Sequence, residues 1–134
     1  MGLERRLEML DETQQIKEVM AKYFKVIDGK DVMAVMSLFN GDATLIFGKA
    51  IFRGFEVVQK FWLSTFRKHL GMRHTVSNIV VKPQGEEAEA TCSRMFPGDG
   101  KSITMWGCDE FTFKKEGELG RSLKNSSRLS FITF

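Results

Sequence analysis

The apolar periodicity of this chain changes once, near residue 73, and that change limits the folds open to it. Before it, apolar residues recur every three or four positions. Beyond it they alternate, and turn-forming clusters cut the alternation into short runs. Ile16, Val19, Met20, Tyr23 and Ile27 share one face of a helix opened by the start signal Asp11-Glu12-Thr13 and closed by Gly29. Val32, Val35, Met36 and Phe39 mark a second, short helix ended by Asn40-Gly41, and Thr44-Leu45-Ile46-Phe47 reads as a short strand. Val58, Phe61, Trp62 and Thr65 form one side of a third helix over residues 55 to about 69. Residues 73–81, 86–96, 102–113 and 123–133 then read as strands. They are separated by Pro83-Gln84-Gly85, Pro97-Gly98-Asp99-Gly100 and Lys115-Glu116-Gly117-Glu118. Four consecutive strands on short turns make an antiparallel meander. The expected fold class is therefore α+β, with three N-terminal helices covering one face of a mostly antiparallel sheet. Residues 1–134 are expected to form one domain, since no repeat or linker interrupts the pattern.

Alternation also assigns faces. Ala88, Ala90, Cys92, Arg94 and Phe96 form one inward set, and Ile103, Met105, Gly107, Asp109, Phe111 and Phe113 another. Folding the chain about Gly98-Asp99 sets Cys92 opposite Met105, Ala90 opposite Gly107 and Ala88 opposite Asp109. Folding it about Gln84 sets His74 opposite Arg94, Val76 opposite Cys92 and Asn78 opposite Ala90. His74, Asn78, Arg94 and Asp109 thus share an otherwise apolar face, and the small residues Ala88, Ala90 and Gly107 beside Asp109 predict a polar-lined hollow. The alternative for Arg94 and Asp109 is that they satisfy each other or lie at a sheet end, because a buried charge is costly unless paired.

Twelve phenylalanines and eight methionines suit either a plain core or a pocket for an apolar ligand. The net charge of +3 comes from short, interrupted basic clusters such as Arg67-Lys68 and Lys114-Lys115, so no nucleic-acid partner is expected. No apolar run is long enough to span a bilayer and the charged N-terminus lacks a signal-peptide core, so no membrane partner is expected. Cys92 and Cys108 make neither a disulfide framework nor a metal spacing, which points to a reducing, cytoplasmic location. His69 and His74 are too scattered to form a metal site, and no phosphate-cradling loop is present, so no metal or cofactor is expected.

The run from Tyr23 through Asp28-Gly29-Lys30-Asp31 and the stretch from Leu38-Phe39-Asn40-Gly41-Asp42 to Thr44 resemble the opening of SnoaL-like domains. These belong to the nuclear transport factor 2-like superfamily, with scytalone dehydratase and ketosteroid isomerase. Gly54, His74 with Asn78, Gly85 before Ala88-Glu89-Ala90, and Asp109-Glu110-Phe111 continue the resemblance in order. It implies a cone-shaped fold whose curved sheet encloses a pocket for a small apolar molecule. Asp28 and His74 match the aspartate and histidine that work together in the scytalone dehydratase branch. That branch's second pocket histidine falls near Trp106, where this chain has none, so scytalone itself is not the expected substrate. Gly120-Arg121 also departs from the Gly-Trp of many members.

An Asp28–His74 pair is a plausible acid–base unit for dehydration, isomerisation or cyclisation of a small cyclic hydrophobic substrate. Tyr23, Asn78, Arg94 and Asp109 are the candidate substrate-binding residues, with Asp109 able to donate a hydrogen bond if burial keeps it protonated. Duller roles stand beside these. Asp28 can cap the second helix, His74 can be a satisfied core or strand-edge histidine, Tyr23 can be core, and Asp42 can fix a turn. A non-catalytic ligand-binding or interaction protein is the competing reading. The outward residues Thr91, Met95, Thr104 and Trp106 suit a contact between two copies, so a homodimer through the outer sheet face is expected.

Overall fold

In a computed structural model of the chain, the described residues are 1–39, 43–47, 49–68, 71, 73–97, 104–116, 122–124 and 128–133. The elements are α1 (Leu3–Asp28), α2 (Val32–Met36), β1 (Thr44–Phe47), β2 (Ala50–Arg53), α3 (Phe55–Lys68), β3 (Thr75–Gln84), β4 (Glu87–Pro97), β5 (Thr104–Glu116), β6 (Ser122–Lys124) and β7 (Arg128–Thr133). This is the expected α+β order of helices followed by an antiparallel meander. The strands form one sheet in the order β2-β1-β7-β5-β4-β3, with β6 paired to β5. Every pairing is antiparallel except that of β1 with β7.

α1 begins at Leu3, well before the start signal read from the sequence. Asp11 does not cap a helix; it accepts from Gln15 Nε2 at 2.8 Å, one turn on. Arg5 pairs with Glu8 at 3.2 Å in the added turns, and Leu, Glu, Arg and Met favour helix there. The C-terminus of α1 matters for the site. Lys30 N–H donates to Ile27 O at 2.9 Å and Asp31 N–H to Val26 O at 3.2 Å, while Lys30 takes the left-handed conformation at φ 56°. This closure stops the helix at Asp28 and turns the chain into α2. Asp31, rather than Asp28, caps α2 by accepting from Ala34 N–H at 3.0 Å. The capping role open to Asp28 is thereby removed.

Ile16, Met20, Tyr23, Phe24 and Ile27 of α1, with Val58, Trp62 and Phe66 of α3, bury the helical face against Ala88, Ala90, Cys92, Phe111 and Phe113 of the sheet. Both expected registers need correction. β4 and β5 pair so that Cys92 faces Asp109, Ala90 faces Phe111 and Ala88 faces Phe113. The offset from the expected register is an even number of residues, which keeps every side chain on its face but changes its neighbours. Pro97 pairs with Thr104, and alternation carries no information about where two strands are joined. As a result Ala88 and Ala90 lie opposite Phe113 and Phe111, rather than opposite Asp109 and Gly107.

In β3 the register shifts between Ser77 and Val80, so Val76 faces Arg94 while Val81 faces Ala90. Asn78 sits in this bulge at φ 54°, exposed, with its Nδ2 donating to Ser93 Oγ at 3.4 Å. Its expected inward position is therefore wrong. A bulge adds one residue and inverts the alternation beyond it. The stretch β2 (Ala50–Arg53) was not recognised in the sequence, and residues 123–133 form two strands rather than one. Asn40, Gly41, Asp42, His69, Gly98, Asp99, Gly100, Ile103, Gly117, Gly120 and Arg121 lie outside the described residues, as do the side chains of Thr104 and Met105.

Candidate functional site

The last residue of α1 and the residue before β3 meet across the fold. His74 Nδ1 lies 2.6 Å from Asp28 Oδ1. The backbone N–H of His74 also donates to both carboxylate oxygens, at 3.1 and 3.0 Å. A carboxylate only accepts, so the neutral ring carries its proton on Nδ1 and leaves Nε2 as the basic nitrogen. The His74 side chain is 5% exposed and that of Asp28 26%. Asp28 is thus wet on one side while the imidazole is sheltered, with Phe24 and Phe96 ring centroids 5.3 and 5.0 Å from the His74 ring.

The pair lines a cleft of about 370 Å³ between α1 and β3, whose other walls include Met20, Phe24, Val76 and Ile79. Met20, Phe24 and Asp28 recur at four-residue spacing and so share one flank of α1. Burial lowers the His74 pKa from its ordinary 6.5, and this outweighs the raising effect of the hydrogen bond and charge of Asp28; the nearby Arg94 charge lowers it further. The ring is therefore neutral at pH 7, and the stability gained from burying it neutral is present above pH 6.5 and lost as pH falls through the lowered value. An NMR titration of the His74 ring should give a midpoint below 6.5. Asp28→Asn should move it lower still by removing the charge that raises it. A midpoint above 6.5, or an upward move in the variant, would contradict this balance.

The remaining candidates form a second group. Arg94 Nε donates to Asp109 Oδ1 at 2.8 Å, with side chains only 1% and 0% exposed. Gly107 stands directly opposite Arg94 in the β4–β5 pairing. Burial raises the Asp109 pKa from 3.8 to about 6, and the charge and hydrogen bond of Arg94 keep it from going higher. Tyr23 packs between Phe111, at 5.4 Å, and Trp62, at 6.2 Å. Burial raises its phenol well above its ordinary value, with the Asp109 charge adding to the rise. Among the described residues, Tyr23 Oη, Trp62 Nε1 and Asp109 Oδ2 are buried with no hydrogen-bond partner.

The sequence candidates therefore fall into two places. Asp28 and His74 come together at the cleft, Arg94 and Asp109 come together inside the fold near Tyr23, and Asn78 joins neither. Phe96 links the two, because the Arg94 guanidinium lies 5.1 Å from its ring centroid and His74 packs on the same ring. Phe24 and Phe96 were not singled out from the sequence as site residues. Their signals were the four-residue step from Phe24 to Asp28 and the strand alternation from Arg94 to Phe96.

Burial pushes the Cys92 thiol up to about 12, so it is no nucleophile at neutral pH. Among the described residues, no group of three or more His, Cys, Asp or Glu side chains is placed to hold a metal ion. No helix among them is long and apolar enough to cross a membrane.

Residues 8–117 match the family model of the SnoaL-like domain. Among curated proteins, none matches the chain. Among solved structures, a candidate scytalone dehydratase from Novosphingobium aromaticivorans superposes with a TM-score of 0.81 at 18% identity, over 93% of this chain and 85% of that one. An NTF2-like protein with a cystatin-like fold from the same organism gives 0.80 at 20% identity, over 96% and 86%. A ketosteroid isomerase-like protein from Erwinia carotovora atroseptica gives 0.73 at 16% identity, over 92% and 96%. At these identities the likeness shows the fold, a cystatin-like and NTF2-like cone.

Proposed function

The chain belongs to the SnoaL-like domain family, and from that membership and the geometry of its cleft we propose that it is a cofactor-independent acid–base lyase or isomerase. Its substrate is a small cyclic hydrophobic molecule, and the reaction is a dehydration, isomerisation or cyclisation. The observation that carries the reading is the 2.6 Å contact of Asp28 with His74 in an apolar-walled cleft. Asp28 fixes the tautomer and orientation of the ring. His74 Nε2 takes a proton from a carbon next to a carbonyl, and the imidazolium so formed, stabilised by the carboxylate, returns it to a leaving hydroxyl. A ring that is neutral at pH 7 begins this cycle as the base it needs to be. Arg94, Asp109 and Tyr23 do not line this cleft; they act behind it, through the Phe96 ring on which both Arg94 and His74 pack.

The test is a panel of cyclic β-hydroxyketones, followed for loss of water by the absorbance of the conjugated enone. Turnover that disappears in His74→Gln supports the proposal. A ligand that binds without turnover, and binds His74→Gln equally well, would favour a non-catalytic binding protein. One observation supports that second reading: both Asp28 oxygens accept from the backbone N–H of His74, a clip that holds the start of β3 whether or not chemistry follows.

The reading includes a cytoplasmic homodimer joined through the outer sheet face. Trp106 is 58% exposed, and on β5 it faces Met95 of β4. A tryptophan this exposed on a sheet face suits the centre of an interface. Trp106→Glu should turn a dimer into a monomer in size-exclusion chromatography with light scattering at micromolar concentration. A wild-type chain that runs as a monomer there would refute the homodimer.

A further inference from the structure

A second concavity lies away from the Asp28–His74 cleft and shares no residue with it. The buried face of α3 is Val58, Trp62 and Phe66. The neighbouring flank, roughly a quarter turn round the helix, carries Val57, Phe61, Ser64 and Lys68 at four-residue and three-residue steps. Against this flank stands Phe52 of β2, whose ring centroid is 4.7 Å from that of Phe61. Between them runs a groove of about 460 Å³, with Phe52, Phe61 and Val57 as its apolar wall, and with Lys60 and Lys68 on its rim beside Ser64. Val57 is 45% exposed, an apolar side chain left without cover.

The charged residues that line this groove, Lys60 and Lys68, are both cationic. An apolar wall beneath a cationic rim complements a molecule with an apolar body and an anionic head. Lys68 and Ser64 are one turn apart on the same flank, so an ammonium and a hydroxyl can engage one head group together. A flat bilayer fits less well. Ile51 is 53% exposed, yet strand alternation turns it to the opposite side of the hairpin from Phe52, so the apolar side chains do not share one plane.

We propose that the groove between β2 and α3 is a binding site for a free anionic amphiphile, a carboxylate head on an acyl or aromatic body. The body lies along Phe52, Phe61 and Val57, and the head meets Lys60, Lys68 and Ser64. The site is independent of the Asp28–His74 reading, because no residue is common to the two.

Dodecanoate, kept below its micellar concentration, is the probe, followed by amide chemical shifts. The expected result is saturable shifts at Phe52 and along Val57–Lys68, affinity weakened at high salt, and at least tenfold weaker binding in Lys60→Glu/Lys68→Glu. Both lysines are exposed, so the double variant should fold as the wild type does, and its amide spectrum without ligand checks this. Val57→Asp should weaken binding through the apolar wall, and His74→Gln should leave it unchanged. Dodecanol binding as tightly as dodecanoate would overturn the proposal. So would undiminished binding in the double variant, or shifts confined to Met20–Asp28 and His74. Binding to phosphatidylglycerol vesicles with none to dodecanoate would assign the face to a membrane and also overturn it.

Discussion

Arg94→Met is expected to destabilise the fold by about 3–5 kcal/mol, the range for removing one partner of a buried ion pair. For a chain of this size, that lowers Tm by about 10 °C or more. The guanidinium and the Asp109 carboxylate are 2.8 Å apart on adjacent strands, and both are closed off from water. Without Arg94 the carboxylate loses the charge and hydrogen bond that restrain its pKa, which should climb above about 6. Between 3.8 and about 6 the folded state already holds this proton more tightly than the unfolded chain. The contribution of Asp109 to stability is therefore full below 3.8 and falls as pH rises through about 6. In Arg94→Met the loss should grow and extend to higher pH. Replacing both groups, as in Arg94→Met/Asp109→Leu, should recover most of the stability, because no unpaired charge is then left inside. Thermal unfolding of the three variants from pH 4 to 8 checks both points. An Arg94→Met chain as stable as the wild type would show that the pair is not held in a water-free interior.

The second large effect concerns rate. His74→Gln should cut turnover by about 100-fold or more, the range for losing a positioned general acid–base group. Glutamine keeps a backbone N–H for the Asp28 carboxylate, so the clip at the start of β3 survives while the titrating nitrogen is lost. Asp28→Asn should cost less. The imidazole then remains but loses the acceptor that fixes its tautomer and the charge that stabilises its protonated form. Equal turnover in wild type and His74→Gln, with unchanged folding, would remove histidine from the chemistry.

Much of this arrangement was legible in the sequence because it depends on parity and periodicity. The inward faces of β4 and β5 follow from alternation, and a register error of an even number of residues leaves them intact, so Arg94 and Asp109 were placed inside correctly although their neighbours were not. The match of Asp28 and His74 to a family pattern brought together two residues far apart in the chain, and the structure sets them at 2.6 Å. The errors arose where one residue changes a count. The bulge after Ser77 carried Asn78 to the surface, and nothing in the apolar pattern of β3 marks it. The first turns of α1 were missed because Asp11 looks like a cap, whereas its carboxylate is engaged one turn later along a continuous helix. The cleft itself depends on where α1 stops, and that is set by a left-handed Lys30 rather than by the glycine beside it.

The most direct test of the central claim, that Asp28 and His74 act as an acid–base pair in an apolar cleft, is proton exchange in D2O. Cyclohexanone and 1-tetralone offer protons next to a carbonyl, and their replacement by deuterium can be followed by NMR without knowledge of the natural substrate. The account predicts exchange faster than in buffer, lowered about 100-fold or more in His74→Gln and lowered less in Asp28→Asn. Wild-type exchange no faster than buffer for ketones that demonstrably occupy the cleft would contradict it, and would leave a binding protein whose carboxylate–imidazole contact is structural.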